Sequence, residues 1–270
     1  MTPSTRGYSR RIDLGKIALH VTQYDGNGPR LLLLHGIGSN CEGWNPVIDD
    51  LALTFSPVTV DLRGHGCSDK PESGYLYIDY VSDIEGLLTA LDWTSPLIIG
   101  HSLGGIIALW WATRHPDRAR ALVAEDSALR SGEEFRPAFD GWLRLNALPY
   151  EELVAHYAAE NPEWSPDMVE SRARAMAGTR RGVFQELRDD SLAHDGKDRI
   201  SELKEITSPV LLVHGDYQTG GMVHPEDIEA LPRRLPDART IRIPGGGHTL
   251  HRSSKEEFLA AAVPFLLAHA

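Results

Sequence analysis

A serine lies between two glycines where a predicted strand passes into a predicted helix. Residues 100–104 read Gly-His-Ser-Leu-Gly, after an apolar run at 96–99 and before a helical run at 106–114. A sharp strand-to-helix corner brings backbone segments so close that only glycine fits at the flanking positions, and it strains the residue at its tip. Such strain is usually retained where it serves function. The pattern therefore predicts Ser102 as an exposed nucleophile at the N-terminus of the following helix.

Histidines elsewhere in the chain supply candidate bases for this serine. A serine hydroxyl is a weak nucleophile at neutral pH, so it needs a base within hydrogen-bonding distance and an acid that orients the base. His248 is the strongest candidate, because it follows the last predicted strand on a glycine-rich loop that can reach over the sheet edge. His251 is the alternative, although we expect it to pack or to line a pocket. His101 is the neighbour of the serine, but its side chain should point elsewhere from the turn.

Composition limits the class of protein. The chain has 270 residues, 41% of them hydrophobic, and a formal net charge of −11, which disfavours nucleic acid or an anionic membrane as a partner. Residues 1–11 are polar, and no run approaches the roughly 18 apolar residues of a membrane span. Cys41 and Cys67 have no metal-ligand spacing and suit a reducing compartment. We predict a soluble cytoplasmic protein, monomeric or homodimeric, that needs no metal and no cofactor.

Buried strand-like runs alternate with helical runs along most of the chain. This rhythm predicts a mostly parallel, doubly wound α/β sheet, in which ligands bind beyond the C-terminal strand ends. Polar clusters fall at such predicted ends, and they contain His35, Ser102, Asp126, Asp216 and His248. Residues 130–205 contain no buried-strand run. We therefore predict a core of residues 1–129 and 206–270, with a helical cap of residues 130–205 inserted after strand six.

Five motifs together resemble the alpha/beta-hydrolase superfamily. They are HGIG from His35, DLRGHGCSD from Asp61, GHSLGG from Gly100, HGD from His214 and the glycine-flanked His248. They occur in the family's order and spacing across residues 31–267, and the cap is the least specific part. The resemblance implies a serine hydrolase core with a helical cap between strands six and seven.

The acid that orients His248 has two candidates. In much of the family it lies just after strand seven, where this chain has Gln218, and a neutral amide cannot stabilise an imidazolium. Asp216 comes too early for that position. Asp126 ends strand six, and some members of the superfamily that take their acid from that strand end resemble this layout. We predict Asp126, with Asp216 as the alternative, and a purely structural role for Asp126 also stays open.

The same layout implies an oxyanion hole and a pocket. Two backbone N–H groups must face the developing negative charge. One is expected from Leu103, at the helix N-terminus, and the other from Ile37 in the HGIG run. Candidate pocket residues are Trp44, Trp142, Trp164 and His251. Four cap arginines could bind a carboxylate, although we expect a solvated helix face: Arg172, Arg174, Arg180 and Arg181.

The residues and the resemblance together predict a cofactor-independent hydrolase of a small carboxylic ester or lactone. Ser102 would attack the carbonyl, His248 would take its proton, and water would release the acyl-enzyme. Serine at the nucleophile position disfavours dehalogenases and epoxide hydrolases, which resemble this fold but use aspartate. C–C hydrolysis, amide hydrolysis, acyl transfer and perhydrolysis stay open on the same triad. Gln218 keeps open a second class, a weakly catalytic ligand-binding protein like the hormone receptors built on this fold.

Overall fold

One sheet of eight strands organises the part of the chain that the computed structural model describes, residues 4–197 and 199–270. The strands are β1 (Gly7–Asp13), β2 (Ala18–Tyr24), β3 (Arg30–Leu34), β4 (Ser56–Val60), β5 (Leu97–His101), β6 (Ala121–Glu125), β7 (Val210–His214) and β8 (Ala238–Arg242). Their order is β1-β2-β4-β3-β5-β6-β7-β8, and β2 is antiparallel to both of its neighbours. All other pairs are parallel. The predicted mostly parallel sheet is confirmed.

Helices connect the strands and cover both faces of the sheet. They are α1 (Asn45–Ala52), α2 (Tyr77–Ala90), α3 (Leu103–Arg114), α4 (Arg136–Leu145), α5 (Tyr150–Glu160), α6 (Pro166–Ala177), α7 (Arg181–Ala193), α8 (Arg199–Glu202), α9 (Pro225–Arg234), α10 (Leu250–Ser253) and α11 (Lys255–Leu267). None of these helices is long and apolar enough to cross a membrane.

The central strands are apolar along their whole length because both faces are covered. In β3, Leu32 and Leu34 pack in the cluster that contains the buried faces of α2 and α3. Leu31 and Leu33 pack on the other side, with α1 and α11. Successive side chains of a strand point to opposite faces, so an unbroken run of leucines fits only a strand with a helix layer on each side.

Between β6 and β7, the described residues form helices, turns and loops but no strand. Buried side chains of α4 to α7, such as Phe139, Leu153, Met176 and Phe184, join the same apolar cluster as α2 and α3. Phe139 and Trp142 of α4 and Leu187 of α7 also line the cavity that contains Ser102. The division into a core and a cap at residues 130–205 stays a prediction, and its residues 1–3 and 198 lie outside the described chain.

Candidate active site

The corner after β5 holds Ser102 in a strained backbone conformation. Its φ is 52° and its ψ is −117°, a region that residues with a side chain seldom adopt. A Cβ on Gly100 would lie 2.4 Å from the backbone of Gly104, and a Cβ on Gly104 would lie 2.2 Å from the carbonyl oxygen of Leu34. The Ser102 amide donates to the carbonyl of Glu125 at 2.8 Å, which ties the corner to β6. The two glycines thus permit the close approach that presents the serine.

His248 and Asp126 meet at the neighbouring strand ends. His248 Nδ1 lies 2.7 Å from Asp126 Oδ2, and the Asp126 side chain is fully buried. The same carboxylate accepts the Met222 amide at 2.8 Å and the Gly215 amide at 3.3 Å. Asp126 itself has a φ of 41°, and its amide donates to the carbonyl of Val213. These bonds fix the carboxylate, so that Nδ1 of His248 donates and Nε2 is free to accept a proton.

Asp216, the alternative acid, is engaged elsewhere. Its carboxylate forms a two-pronged pair with Arg242 and accepts the Gly245 amide at 2.9 Å. The Arg242 guanidinium and this amide lower the pKa of Asp216 to about 2. Gln218 is exposed in the short 3-10 turn that follows. The structure thus brings His248 to Asp126, not to Asp216.

Two backbone amides next to the serine have no acceptor within the described chain, those of Ile37 and Leu103. Both residues line the same cavity as Ser102. The loop before Ile37 approaches the serine so closely that a Cβ on Gly36 would lie 3.2 Å from Ser102 Cβ. Unpaired N–H groups beside a nucleophile are the arrangement that an oxyanion hole requires.

Two buried histidines hold this loop in place. His35 Nδ1 donates to the Gly36 carbonyl at 2.8 Å, and its Nε2 accepts the Leu62 amide at 3.0 Å. His65 Nδ1 donates to the Arg63 carbonyl, and its Nε2 accepts the Gly38 amide at 3.1 Å. Protonation of either Nε2 would set two N–H groups against each other. Burial and these contacts keep both rings neutral.

This arrangement predicts a loss of stability at mildly acidic pH. Burial lowers the pKa of His65 to about 3, and it also lowers that of His35. An unfolded histidine has a pKa of about 6.5. Below that pH the unfolded chain binds protons that the native chain does not. The contribution of the two neutral histidines to the free energy of unfolding is therefore fully present above pH 6.5 and is lost as the pH falls. For His65 alone the loss is about 2 kcal/mol at pH 5.

Urea unfolding at pH 7.5, 6.0 and 5.0 measures this loss. His65→Gln cannot take up the proton, so its free energy of unfolding is expected to decline about 2 kcal/mol less than that of the wild type over this range. Subtracting the free energies of unfolding of the two proteins at each pH removes the contributions of the titrating groups that they share. Parallel pH profiles for the two proteins would contradict the assignment.

The cavity that holds Ser102 is narrow, with a volume of about 40 Å³. Its wall is mainly apolar and includes Ile37, Leu103, Ile106, Phe139, Trp142 and Leu187. Of the four predicted pocket residues, only Trp142 is among the described residues that form this wall. Trp44 is buried against His251, with 4.5 Å between ring centroids, and Trp164 lies beneath the guanidinium of Arg252.

A second buried histidine–carboxylate pair supports the His248 loop, and it had no local sequence signal. His251 Nδ1 lies 2.8 Å from both carboxylate oxygens of Glu125, and its Nε2 lies 3.1 Å from the Gly43 carbonyl. The ring of His101 lies between the two pairs, and its Nε2 donates to the His248 carbonyl at 2.9 Å. His101 and His251 therefore position the His248 loop and are not part of the cavity wall.

Among the described residues, one cluster has donor atoms close enough to hold a metal ion, His20, Cys41 and Asp61, which lie within 4.8 Å of one another. Asp61 already accepts His20 Nδ1 and the amides of Cys41 and Cys67. Burial raises the pKa of the Cys41 thiol well above its usual value. A protonated thiol and a saturated carboxylate make a poor metal site. The cluster braces the loop after β4.

The sheet order and the serine corner after β5 define the class of α/β proteins with a hydrolase fold. A model of the alpha/beta hydrolase family matches residues 31–262, and the chain belongs to that family. The resemblance drawn from the five motifs is therefore confirmed.

Relatives of known activity cover nearly the whole chain. It is 32% identical to 2-(acetamidomethylene)succinate hydrolase of Mesorhizobium japonicum, over 96% of this chain and 95% of that protein. It is 28% identical to pimeloyl-[acyl-carrier protein] methyl ester esterase of Neisseria meningitidis, over 86% and 90%. The crystal structure of E-2-(acetamidomethylene)succinate hydrolase superposes with a TM-score of 0.84 at 29% identity, over 97% of this chain and 99% of that one. Both relatives are hydrolases by name.

Proposed function

We propose that the protein is a serine hydrolase that cleaves a carboxylic ester or lactone of a small molecule through an acyl-enzyme. The observation that carries this proposal is the contact of 2.7 Å between His248 Nδ1 and the buried Asp126 carboxylate. Asp126 follows β6, and the strained Ser102 follows β5, the strand paired with β6. A base held in one tautomer by a fixed acid is what an acyl-transfer nucleophile needs.

The proposed reaction assigns one role to each of these groups. Ser102 Oγ attacks the acyl carbon while His248 Nε2 takes the hydroxyl proton. The amides of Ile37 and Leu103 hold the oxyanion, and His248 then returns the proton to the leaving alcohol. Water, activated by the same imidazole, attacks the acyl-enzyme and releases the acid. Asp126 stabilises the imidazolium in both steps.

Amide hydrolysis is the second candidate, because one relative is named as a hydrolase of an acetamido compound. The same five groups would serve, with protonation of a leaving nitrogen in place of oxygen. A methyl ester esterase among the relatives supports the first candidate. Both candidates share the acyl-enzyme and differ in the leaving group.

A fluorophosphonate probe and a substrate panel test the proposal. The wild type is expected to become covalently labelled at Ser102, as located by mass spectrometry of the modified peptide, and to hydrolyse p-nitrophenyl esters or lactones. Heat-denatured protein is the labelling control. Absence of labelling together with absence of turnover would leave the ligand-binding alternative and end the hydrolase proposal. Turnover of N-acyl enamines or anilides, but not of esters or lactones, would select amide hydrolysis.

The remaining parts of the proposal concern partners and location. The two cysteines are free thiols in the structure, Cys41 buried and Cys67 exposed. An exposed free thiol favours a reducing compartment, so we propose a cytoplasmic enzyme. We also propose that it acts as a monomer or homodimer on a small-molecule substrate.

A further inference from the structure

Two arginines beside the oxyanion loop (residues 35–39, which include Ile37) have no carboxylate partner within 4 Å in the described part of the chain. Arg172 comes from α6, and Arg252 comes from α10. Two other cap arginines are paired with acids: Arg174 with Glu42 and Glu170, and Arg180 with Glu72. Both unpaired arginines are partly buried. A partly buried guanidinium without an acid has lost water without gaining a counter-ion, which is costly.

Each unpaired guanidinium lies against an aromatic ring. Arg172 Cζ is 4.9 Å from the centroid of the Tyr157 ring, and Arg252 Cζ is 5.5 Å from that of Trp164. The Tyr157 hydroxyl and the Trp164 Nε1 are both buried, and neither has a hydrogen-bond partner in the described chain. Buried donors are usually satisfied in native proteins. Of the five unpartnered buried side-chain atoms in the described chain, these two belong to the rings that the unpaired guanidiniums contact.

The two arginines contact consecutive residues, Gly38 and Ser39, in one region of the loop that approaches Ser102. Arg172 Nη1 donates to the Gly38 carbonyl, and Arg252 Nη2 lies 3.4 Å from Ser39 Oγ. Burial lowers the pKa of Arg252 to about 10, and the charge of Arg172 adds to that effect. Burial raises the pKa of Tyr157, while the charges of both arginines act against it. Because Gly38 and Ser39 are consecutive, the two cations lie near each other, and Arg172 lies over the Tyr157 ring.

The acids near this region are already occupied. Glu42 accepts Ser171 Oγ at 2.8 Å and faces Arg174. Glu125 is bound to His251 on the far side of that ring from Arg252. The region thus has two positive charges, two free neutral donors and no uncommitted acceptor among these groups. A planar carboxylate supplies two acceptor oxygens and one negative charge, which matches this set.

We propose a carboxylate-binding subsite beside the oxyanion loop, formed by Arg172, Arg252, Tyr157 and Trp164. The substrate therefore carries an ionised carboxyl group in addition to the acyl group that Ser102 attacks. The carboxyl group assigned to the substrate rests on the proposed function, whereas the subsite itself does not. The subsite is separate from the apolar cavity wall and selects among acyl substrates by charge.

Binding to a protein that cannot turn over substrate tests the subsite alone. Ser102→Ala is titrated with succinate, dimethyl succinate and inorganic phosphate, and binding is measured by calorimetry. Tryptophan fluorescence is followed in parallel, and Trp164→Phe shows which part of its change comes from Trp164. Succinate is expected to bind and dimethyl succinate is not. Adding Arg172→Gln or Arg252→Gln is expected to weaken succinate binding about 10- to 100-fold. Arg174→Gln, two residues along the same helix and paired with acids, is the matched control and should not change it.

Tyr157→Phe keeps the ring and removes only the unpartnered hydroxyl, so it guards against a folding defect in the arginine variants. It is expected to weaken succinate binding about 5-fold, with an unchanged unfolding temperature. Succinate affinity that is equal in the control and both arginine variants would overturn the subsite. Phosphate bound as tightly as succinate would also overturn it, because the site would then be a general anion site.

A kinetic comparison tests the substrate class. In the active enzyme, Arg252→Gln is expected to raise KM for monomethyl succinate about 10- to 100-fold more than it raises KM for methyl butyrate. Equal effects on both esters would overturn the substrate class. If neither ester is cleaved while Ser102→Ala binds succinate as expected, the proposed hydrolase function fails and the subsite stands.

Discussion

Asp126→Asn is expected to lower kcat by about four orders of magnitude, while Asp216→Asn stays within a few-fold of the wild type. Asp126 is fully buried and accepts His248 Nδ1 together with the amides of Met222 and Gly215. An asparagine side chain would have to present its NH2 group to one of these donors. The imidazole would then lose both its orientation and the charge that stabilises its protonated form.

Steady-state hydrolysis of the best ester of the panel measures both variants, and circular dichroism shows whether each is folded. Asp216 is the matched control because it follows β7, the strand next to β6, and its carboxylate is paired with Arg242. Loss of activity in Asp216→Asn with retention in Asp126→Asn would show that the acid has been misassigned. Retention in both would contradict the proposed triad.

Ser102→Ala is expected to lower kcat by about six orders of magnitude, because the acyl-enzyme cannot form without the hydroxyl. Fluorophosphonate labelling should disappear with it. Ser102→Gly should be equally inactive, but its free energy of unfolding should rise by about 1 kcal/mol, because glycine adopts the φ of 52° without strain. Urea unfolding of the three proteins measures this difference.

The stability change separates a functional serine from an ordinary turn residue. If the serine is retained for its hydroxyl in a conformation that costs stability, replacement by glycine lowers the activity and raises the free energy of unfolding. Residual turnover above about one part in a thousand in Ser102→Ala would point to a different nucleophile. A less stable Ser102→Gly protein would show that the corner is not strained by the side chain.

The local parts of the site could be predicted from sequence because their causes are local. The corner at Ser102 needs a residue without a side chain at Gly100 and Gly104, where a Cβ would overlap backbone atoms within 2.4 Å. The buried strand β3 needs apolar residues on both faces, and its run of leucines reveals this. Such constraints act on neighbours in the chain and leave a pattern in it.

The subsite arginines illustrate the opposite case. Arg172 and Arg174 lie on the same helix two residues apart, and nothing in their neighbours distinguishes a solvated arginine from an unpaired one. Only packing places Arg172 over Tyr157 and leaves Arg174 between Glu42 and Glu170. The sequence alone favours a solvated helix face for both residues. The tertiary contacts separate them.

The sequence by itself determined the fold class, the strained serine, and the set of histidines and aspartates at the strand ends. Tertiary structure alone decided which of these groups meet. His248 and Asp126 are 122 residues apart and lie 2.7 Å from each other, while Asp216 is drawn away by Arg242. The reason is physical: a hydrogen bond depends on distances of tenths of an ångström between atoms of separate strands. The register and packing of the whole sheet set those distances, and no local pattern records them.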